Sequence, residues 1–470
     1  MGNLFSALNS AASAIDAFQQ SIDVTQNNVS NANSPGYAKQ VPVLQTVDYP
    51  TSKAISGGVT EVTQDSRNQL ADSAVRSQLS LLGQFQQLQT SLAPVQTVLD
   101  VSSNSAIPSA LNQLFQNFSQ WSSQPGNAAF QTAVLNAGQQ TAAAFQQVAA
   151  QFSTVRSGVD QSVQSTVNRI NQDAAQVQAY NVAAAKQATP SPGLSAQLQN
   201  TLEDLSSLAD IQVLPGVGNT VTVLLGGQTP LVIGDQTNAL QVQSDAPNAL
   251  NGPPNVQIVD SNGTDVTSQV TSGALSALLS VRNNLLPSLA GGGAQVGELN
   301  TLAKSLADTV NGLLTQGATT GTPPQAGTPL FTYNAASPSS TAASLQLNPA
   351  ITTSQLAPTD PGPPPVFNGI ALKLAGLDTD PSATINGLSF SQYFGMMASQ
   401  AGSAVANANT NASAQTQLVT QTKQLQHQLS GVSIDEEAVR LIQLQSAFQA
   451  ASKVVTVVDE LTQSLMAMVH

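Results

Sequence analysis

Residues that could carry catalysis are scarce in this chain, and structural roles account for those that are present. The sequence contains no cysteine and two histidines, His427 and His470, which excludes thiolate chemistry, disulfides and the usual zinc sites. The run Asp435-Glu436-Glu437 could supply paired carboxylates for acid–base work, but it also fits the first turn of a helix. We therefore expect no catalytic residue, no metal and no cofactor.

Other short motifs that could bind a ligand lack part of the required pattern. Asp378-Thr379-Asp380 begins like a calcium loop but is not followed by the glycine and closing glutamate of that loop. Asp260-Ser261-Asn262-Gly263 fits a hairpin turn better than a metal site. No Gly-Lys pair exists to form a phosphate-binding loop. His427 lies in a Gln-rich stretch with no visible partner for a serine triad.

The composition favours a scaffold over an enzyme. Charged residues make up 8% of the chain, against roughly 25% in an average soluble protein, while 41% of the residues are apolar. The net charge of −13 argues against binding to nucleic acid, which needs an excess of Lys and Arg. No apolar run reaches the ~18–20 residues of a membrane span, so no membrane insertion is expected. The first basic residue is Lys39, so a secretory signal peptide is not expected either.

Both ends of the chain carry apolar residues spaced alternately four and three apart, which is typical of helices that pair in supercoils. They could be two amphipathic helices on an ordinary core, or helices that pair with each other or with neighbouring subunits. Their low charge content favours dense packing in an assembly. We assign the N-terminal row to an assembly seam: Leu4, Leu8, Ile15, Phe18, Ile22 and Val29. The C-terminal seam comprises Leu441, Leu444, Phe448, Val455, Val458 and Leu465.

Turn and cap residues mark where these two helices stop and start. Asparagine tolerates positive φ and bonds to nearby backbone, so the first helix should end in an Asn-rich motif, and Pro35-Gly36 should form a type II turn. That motif comprises Asn27, Asn28, Asn31, Asn33, Pro35, Gly36 and Tyr37. The last helix should open with a capping box, in which Ser433 accepts from the amide of Glu436 and the Glu436 carboxylate reaches back. The full cap comprises Ser433, Asp435, Glu436 and Glu437.

The interior alternates between long helical patterns and one β-rich stretch, so the sequence predicts a mainly α, multi-domain α+β fold. Apolar residues recur every three or four positions over most of the interior. Residues 211–270 instead carry short apolar runs broken by Gly226-Gly227 and Asn262-Gly263, which predicts strands and hairpins. The predicted organisation is a terminal coiled-coil domain (1–36 and 434–470), an extended connector (37–63), an elongated helical bundle (64–210, 271–316 and 386–433), an inserted small β domain (211–270), and a Pro/Gly-rich irregular or β segment (317–385).

Several of these motifs resemble those of the bacterial flagellar rod, hook and hook-associated proteins. The start, Leu4-Phe5-Ser6-Ala7-Leu8-Asn9, and the motif from Asn27 to Tyr37 resemble the N-terminal signature of this axial family. The run Ser430-Gly431-Val432-Ser433-Ile434-Asp435-Glu436-Glu437 is similar to the hook-associated members found at the hook–filament junction. In the middle, Ser123-Gln124-Pro125-Gly126-Asn127 and Ala133-Val134-Leu135-Asn136-Ala137 are similar to their helical domain.

This resemblance implies a structural protein that polymerises at the hook tip and joins hook to filament. The implied partners are other copies of the chain, the hook protein, a second junction protein, an export chaperone and the flagellar type III export apparatus. That route needs no cleaved signal peptide and implies an extracellular location, in place of the cytoplasm that the missing signals suggest.

Two alternatives stay open at this point. Another axial component, either hook or rod protein, would share the N-terminal motif, although the segment from Ser430 to Glu437 argues against it. A flagellum-associated cell-wall hydrolase would need a carboxylate or Cys/His site in a cleft, and none is visible.

Overall fold

A computed structural model describes residues 2–47, 58–100, 107–187, 189–246, 249–380 and 385–468. The helices are α1 (Gly2–Ser30), α2 (Gln69–Val98), α3 (Ile107–Ser123), α4 (Ala128–Ala184), α5 (Pro192–Leu208), α6 (Gly273–Ser280), α7 (Leu286–Ala290), α8 (Glu298–Gln316), α9 (Thr341–Ser344), α10 (Gly369–Gly376), α11 (Phe390–Ser430) and α12 (Ile434–Met468). The strands are β1 (Gln40–Val47), β2 (Gly58–Asp65), β3 (Ile211–Pro215), β4 (Val221–Leu225), β5 (Thr229–Ile233), β6 (Gln236–Thr237), β7 (Gln241–Ser244), β8 (Val256–Val259), β9 (Phe331–Thr332) and β10 (Gln346–Leu347). A π-helical turn spans Val281–Leu285, and 3₁₀ turns span Thr267–Gln269, Pro338–Ser340 and Thr353–Gln355.

The elongated bundle follows from the long apolar stripes and confirms the mainly α prediction. Helix α4 runs for 57 residues and packs along α3 and α5. Its aromatic side chains Phe145 and Phe152 are buried with Phe118 and Trp121 of α3. The indole of Trp121 donates to the carbonyl of Pro125, 3.1 Å away, so the buried ring leaves no unpaired donor. Helices α2 and α11 pack lengthwise against each other and extend the bundle.

A glycine sets how closely α2 approaches α5. A Cβ on Gly83 would lie 2.0 Å from the carbonyl oxygen of Ser207, a distance that no side chain can occupy. Gly83 therefore permits backbone contact where the two helices cross.

The inserted β region is also confirmed as part of the fold. Strands β3, β4, β5 and β6 form an antiparallel sheet in that order, and β7 pairs with β8. Gly226 and Gly227, at the turn between β4 and β5, both have positive φ, which explains why glycines break the apolar run there. Val223, Leu225, Leu231 and Ile258 are buried in the common core.

Helix asparagines hold the β segments in place. In each case the side-chain amide both donates to and accepts from the backbone of one residue, at 2.8–2.9 Å, as a neighbouring strand would. The pairs are Asn171 with Leu240, Asn181 with Val221, Asn283 with Val256, and Asn311 with Phe331. Uncharged polar side chains therefore connect these helical residues to the β segments.

The Pro/Gly-rich segment contains more regular structure than its composition indicates. Besides β9 and β10 it contains α9 and α10, and α10 packs against α3. Ile370, Ala371 and Leu374 are buried there, because their spacing gives one short apolar helix face. A prediction from composition alone misses this helix, because prolines and threonines surround it.

The two chain ends come together with the connector in one unit. Helices α1 and α12 pack against each other, and both strands of the β1–β2 hairpin contact α1. We call these four elements the terminal unit. The predicted extended connector is therefore a paired hairpin, with eight residue pairs from Gln40–Asp65 to Val47–Gly58. Each end supplies the partner that the other needs to bury its seam.

Candidate functional site

Asn28 joins the two ends of the chain through a network of hydrogen bonds. This side chain is 0% exposed, at the last turn of α1. Its Nδ2 donates to the carbonyl of Gln40 at 2.8 Å and to Oε2 of Glu437 at 2.9 Å. Its Oδ1 accepts from the hydroxyl of Tyr37 at 2.9 Å and from the amide of Gln40 at 2.9 Å. We call Asn28, Tyr37, Gln40 and Glu437 the Asn28 node, and all four hydrogen bonds that an asparagine amide can make are present in it.

A buried carboxylate links this node to a lysine. Glu437 is 1% exposed, and its Oε1 lies 3.1 Å from Nζ of Lys39. The same ammonium lies 3.1 Å from Oε2 of Glu436. Burial alone would lower the pKa of Lys39, but the hydrogen bonds and charges of Glu437 and Glu436 outweigh it and raise that pKa. A charge taken out of water needs such a partner, so Lys39 is what makes a buried glutamate tolerable here.

The hydroxyl of Tyr37 is held in its neutral form by the same surroundings. Burial, with the negative charges of Asp65 and Glu437, raises the pKa of Tyr37 from 10.0 to about 12. The folded protein therefore binds this proton more tightly than the unfolded chain does. The stabilisation is complete below the unfolded pKa of about 10 and is lost as the pH rises from there towards about 12.

Tyr37→Phe provides a test of this linkage. We expect the wild type to have the higher free energy of unfolding at about pH 9, and the difference from Tyr37→Phe to shrink by about pH 11. Urea unfolding of both proteins across this range measures it. A difference that stays constant with pH would show that the hydroxyl titrates normally in the fold.

The turn before Tyr37 has the predicted geometry. The amide of Tyr37 donates to the carbonyl of Ser34 at 3.2 Å, and Gly36 has φ +71°, as a type II turn requires. A Cβ on Gly36 would lie 2.5 Å from the carbonyl oxygen of Ala196 in α5. The exposed Asn27 accepts from Asn31 through its backbone carbonyl, so this part of the motif closes the end of α1.

The predicted capping box is half formed. The amide of Glu436 lies 3.5 Å from the hydroxyl of Ser433, as expected, but the carboxylate of Glu436 contacts Lys39 instead of turning back. Ser433, Asp435 and Glu436 are exposed, whereas Glu437 is buried. The local capping pattern therefore gave no indication that Glu437 contacts Asn28 and Lys39.

The N-terminal seam residues are buried to different extents in the terminal unit. Ile22 is buried, Leu8, Ile15 and Phe18 are half-buried, and Val29 is exposed. Leu4 lies in the first turn of α1.

The buried face of α1 also contains polar residues. Ser21 and Thr25 are buried beside Asn28. Their hydroxyls donate to the carbonyls of Ala17 and Ser21, at 2.8 and 2.9 Å, so they need no partner across the interface. Small polar residues at i, i+4 and i+7 are the signal by which the sequence could have revealed this face.

The C-terminal seam residues mostly lie on the less exposed side of α12. Val458 is buried, while Leu441, Leu444, Phe448 and Val455 are half-buried. Leu465 is exposed.

A second apolar row on α12 is left uncovered. Its members recur at helical spacing and are each about half exposed or more. We call them the outer row: Val439, Ile442, Val454, Val457, Leu461 and Leu465. A helix that is apolar on two sides is typical of an element buried between several neighbours.

No cluster of three or more His, Cys, Asp or Glu side chains that could hold a metal occurs among the described residues. His427 is exposed near the end of α11, and His470 lies outside the described residues. None of the described helices combines the length and apolar character needed to cross a membrane.

Comparisons with known families match three parts of the chain. The model of the flagellar hook-associated protein FlgK helical domain matches residues 92–331. The model of the flagella basal body rod protein matches residues 8–37, and that of the flagellar basal body rod FlgEFG protein C-terminal region matches residues 414–468. The two shorter matches contain Asn28 and Glu437 respectively, so the Asn28 node joins residues of both.

Two relatives extend these matches over the chain. Flagellar hook-associated protein 1 of Bacillus subtilis (strain 168) is 25% identical over 508 residues, covering 99% of this chain and 98% of that protein. The solved structure of the flagellar hook junction protein FlgK from Burkholderia pseudomallei has the same fold at a TM-score of 0.63 and 15% identity. That match covers 75% of this chain and 99% of the solved one.

Proposed function

The chain belongs to the family of flagellar hook-associated proteins whose helical domain spans residues 92–331, and we propose that it is the adaptor between hook and filament. It is a structural protein of the bacterial flagellum. In this role copies of the chain polymerise at the tip of the hook and provide the surface on which the filament continues.

The outer row of α12 is the observation that carries the polymerisation step. Each apolar side chain left in water forgoes about 25 cal/mol for each Å² it could bury. In a row along one helix these free energies of burial add up on a single face. In a polymer of identical chains, another copy of the chain covers that face. The proposed seam therefore has two sides: the inner residues close α1 on α12, and the outer row meets neighbouring subunits.

The partners follow from that position. Besides copies of itself, the chain would contact the hook protein on one side and the second junction protein on the other. We propose that it reaches the outside through the flagellar type III apparatus, with an export chaperone and without a cleaved signal peptide. Its lack of cysteine and its few charges suit a chain that crosses a narrow channel before it folds.

The role is structural rather than enzymatic. A hydrolase would need a carboxylate or Cys/His constellation in a cleft, whereas the carboxylates of Glu436 and Glu437 at the start of α12 contact Lys39 and the Asn28 node. The hook and rod alternatives are not favoured, because the longest matched model describes the helical domain of hook-associated proteins.

Val457→Asp tests the polymerisation surface. Val457 is 52% exposed, so a carboxylate there should change the stability of the free chain by no more than about 0.5 kcal/mol. In the polymer the same charge would be desolvated against a neighbour. We expect cells that build hooks, export the variant, and release filament subunits into the medium. Antibody labelling of isolated hook–basal bodies should find the wild type at the hook tip and little of the variant.

Gln445→Asp is the matched control, since it adds the same charge at an exposed polar position of the same helix. It should leave motility intact. Normal filaments with Val457→Asp, or labelling of the wild type along the rod instead of at the hook tip, would contradict the proposal.

A further inference from the structure

Two chain segments, residues 65–68 and 430–433, cross between the terminal unit and the bundle. The turn of the terminal unit at residues 31–39 lies beside them, and Ser430 bonds to both that turn and the first segment. The carbonyl of Ser430 accepts from the amide of Lys39 at 2.8 Å, and its hydroxyl accepts from the amide of Asn68 at 2.9 Å. Ser430 is buried, so these contacts are shielded from water.

Arg67 spans the same crossing from the other side. Its Nη2 donates to the carbonyl of Gly36 at 2.7 Å, and its Nη1 lies 3.6 Å from Oδ2 of Asp72. Gly36 belongs to the turn that ends α1, whereas Asp72 is in the first turn of α2. Asp72 is in turn fixed by Nε2 of Gln426 in α11, at 2.7 Å from its Oδ1. Arg67 therefore connects the turn of the terminal unit to both helices of the α2–α11 pair.

The crossing is held by directional polar contacts rather than by a large apolar core. The buried apolar side chains there, Ala38 and Val432, are small. A polar cleft opens beside the crossing, between residues 32–38 and the side chains of Glu203 and Lys423. Hydrogen bonds fix angles but each adds only about 1 kcal/mol net. Such a joint is well defined when intact and free to turn when a few bonds are lost.

We infer that the hydroxyl of Ser430 and the guanidinium of Arg67 form a lock that sets the angle between the terminal unit and the bundle. When both side chains are removed, the backbone bond from the amide of Lys39 to the carbonyl of Ser430 remains, and the terminal unit turns about it, into the cleft or away from it, as one body with the Asn28 node still closed. The inference concerns the free protein and does not rest on the role proposed above.

The absence of cysteine allows the angle to be measured directly with introduced spin labels. Gln172 in α4 and Gln449 in α12 are exposed, and labels at these positions report the distance across the crossing. A second pair, at Gln20 and Gln449, reports the distance within the terminal unit. In Ser430→Ala/Arg67→Ala, the distribution for the first pair should roughly double in width or split, while the second pair keeps the wild-type distribution.

Ser433→Ala/Arg440→Ala is the matched control. It removes another serine of the same linker and an arginine that bonds only within the terminal unit, to the carbonyl of Pro42 at 2.9 Å. Both label pairs should stay narrow in it. An unchanged first pair in Ser430→Ala/Arg67→Ala would overturn the lock. Equal broadening in the control, or broadening of the second pair in the lock variant, would also overturn it, because these residues would then support folding in general.

Discussion

Asn28→Ala should destabilise the terminal unit by about 3–5 kcal/mol in total, because the carboxylate of the buried Glu437 loses one of its hydrogen-bond donors. The hydroxyl of Tyr37 and both backbone groups of Gln40 also lose their hydrogen bonds, and each unsatisfied buried group adds to the cost. Alanine cannot replace any of these contacts. We expect fast hydrogen exchange over α1 and α12, exchange in the bundle close to that of the wild type, and cells that assemble hooks without filaments.

Asn27→Ala is the control for this variant. It removes the same side chain one position earlier, where it is exposed, and keeps the backbone carbonyl that Asn31 uses. Its stability should stay within about 0.5 kcal/mol of the wild type. Equal exchange rates in the two variants would mean that the node contributes no more than the average surface residue of this helix.

Val458→Asp should have an effect of similar size through a different contact. Val458 is 8% exposed, on the side of α12 that is covered in the terminal unit, so a carboxylate there would be desolvated without a partner. We expect a loss of about 3–5 kcal/mol, early proteolysis of both terminal helices, and no motility.

The neighbouring Val457→Asp separates folding from assembly. Both variants should lack filaments, but only Val458→Asp should lose protection of α1 and α12 in the purified monomer. Limited proteolysis with mass spectrometry distinguishes them in one experiment. Stable terminal helices in Val458→Asp would mean that α1 and α12 do not close on each other in the free chain.

Much of the fold could be predicted from local sequence patterns. Apolar residues such as Phe145, Phe152 and Val177 recur every three or four positions along α4 and predict a long helix, because every turn repeats the same requirement. The Pro35-Gly36 pair predicts its turn because few conformations suit those two residues. The glycines around the β4–β5 turn act in the same way. In each of these cases the structure depends on residues a few positions apart.

Local patterns could not predict contacts between residues that are far apart in the sequence. The heptad rule selected Val29, which is exposed, and passed over Asn28, which is buried, because buried polar residues depend on partners elsewhere in the chain. Glu436 and Glu437 fitted a helix cap, and nothing nearby in sequence indicated Lys39. Conversely, the short helix α10 was concealed by the composition of its surroundings.

The large sequence separation between the residues of the Asn28 node affects when their contacts form during folding. Asn28 and Glu437 are 409 residues apart, so the helical bundle lies between these two partners in the sequence. Contacts of such high separation form slowly, since the intervening chain must be ordered first. The contacts between α3 and α4 join residues closer in sequence, so they can form earlier. We therefore expect the two ends to close after the local contacts of the bundle have formed, so that a closed Asn28 node marks a folded bundle.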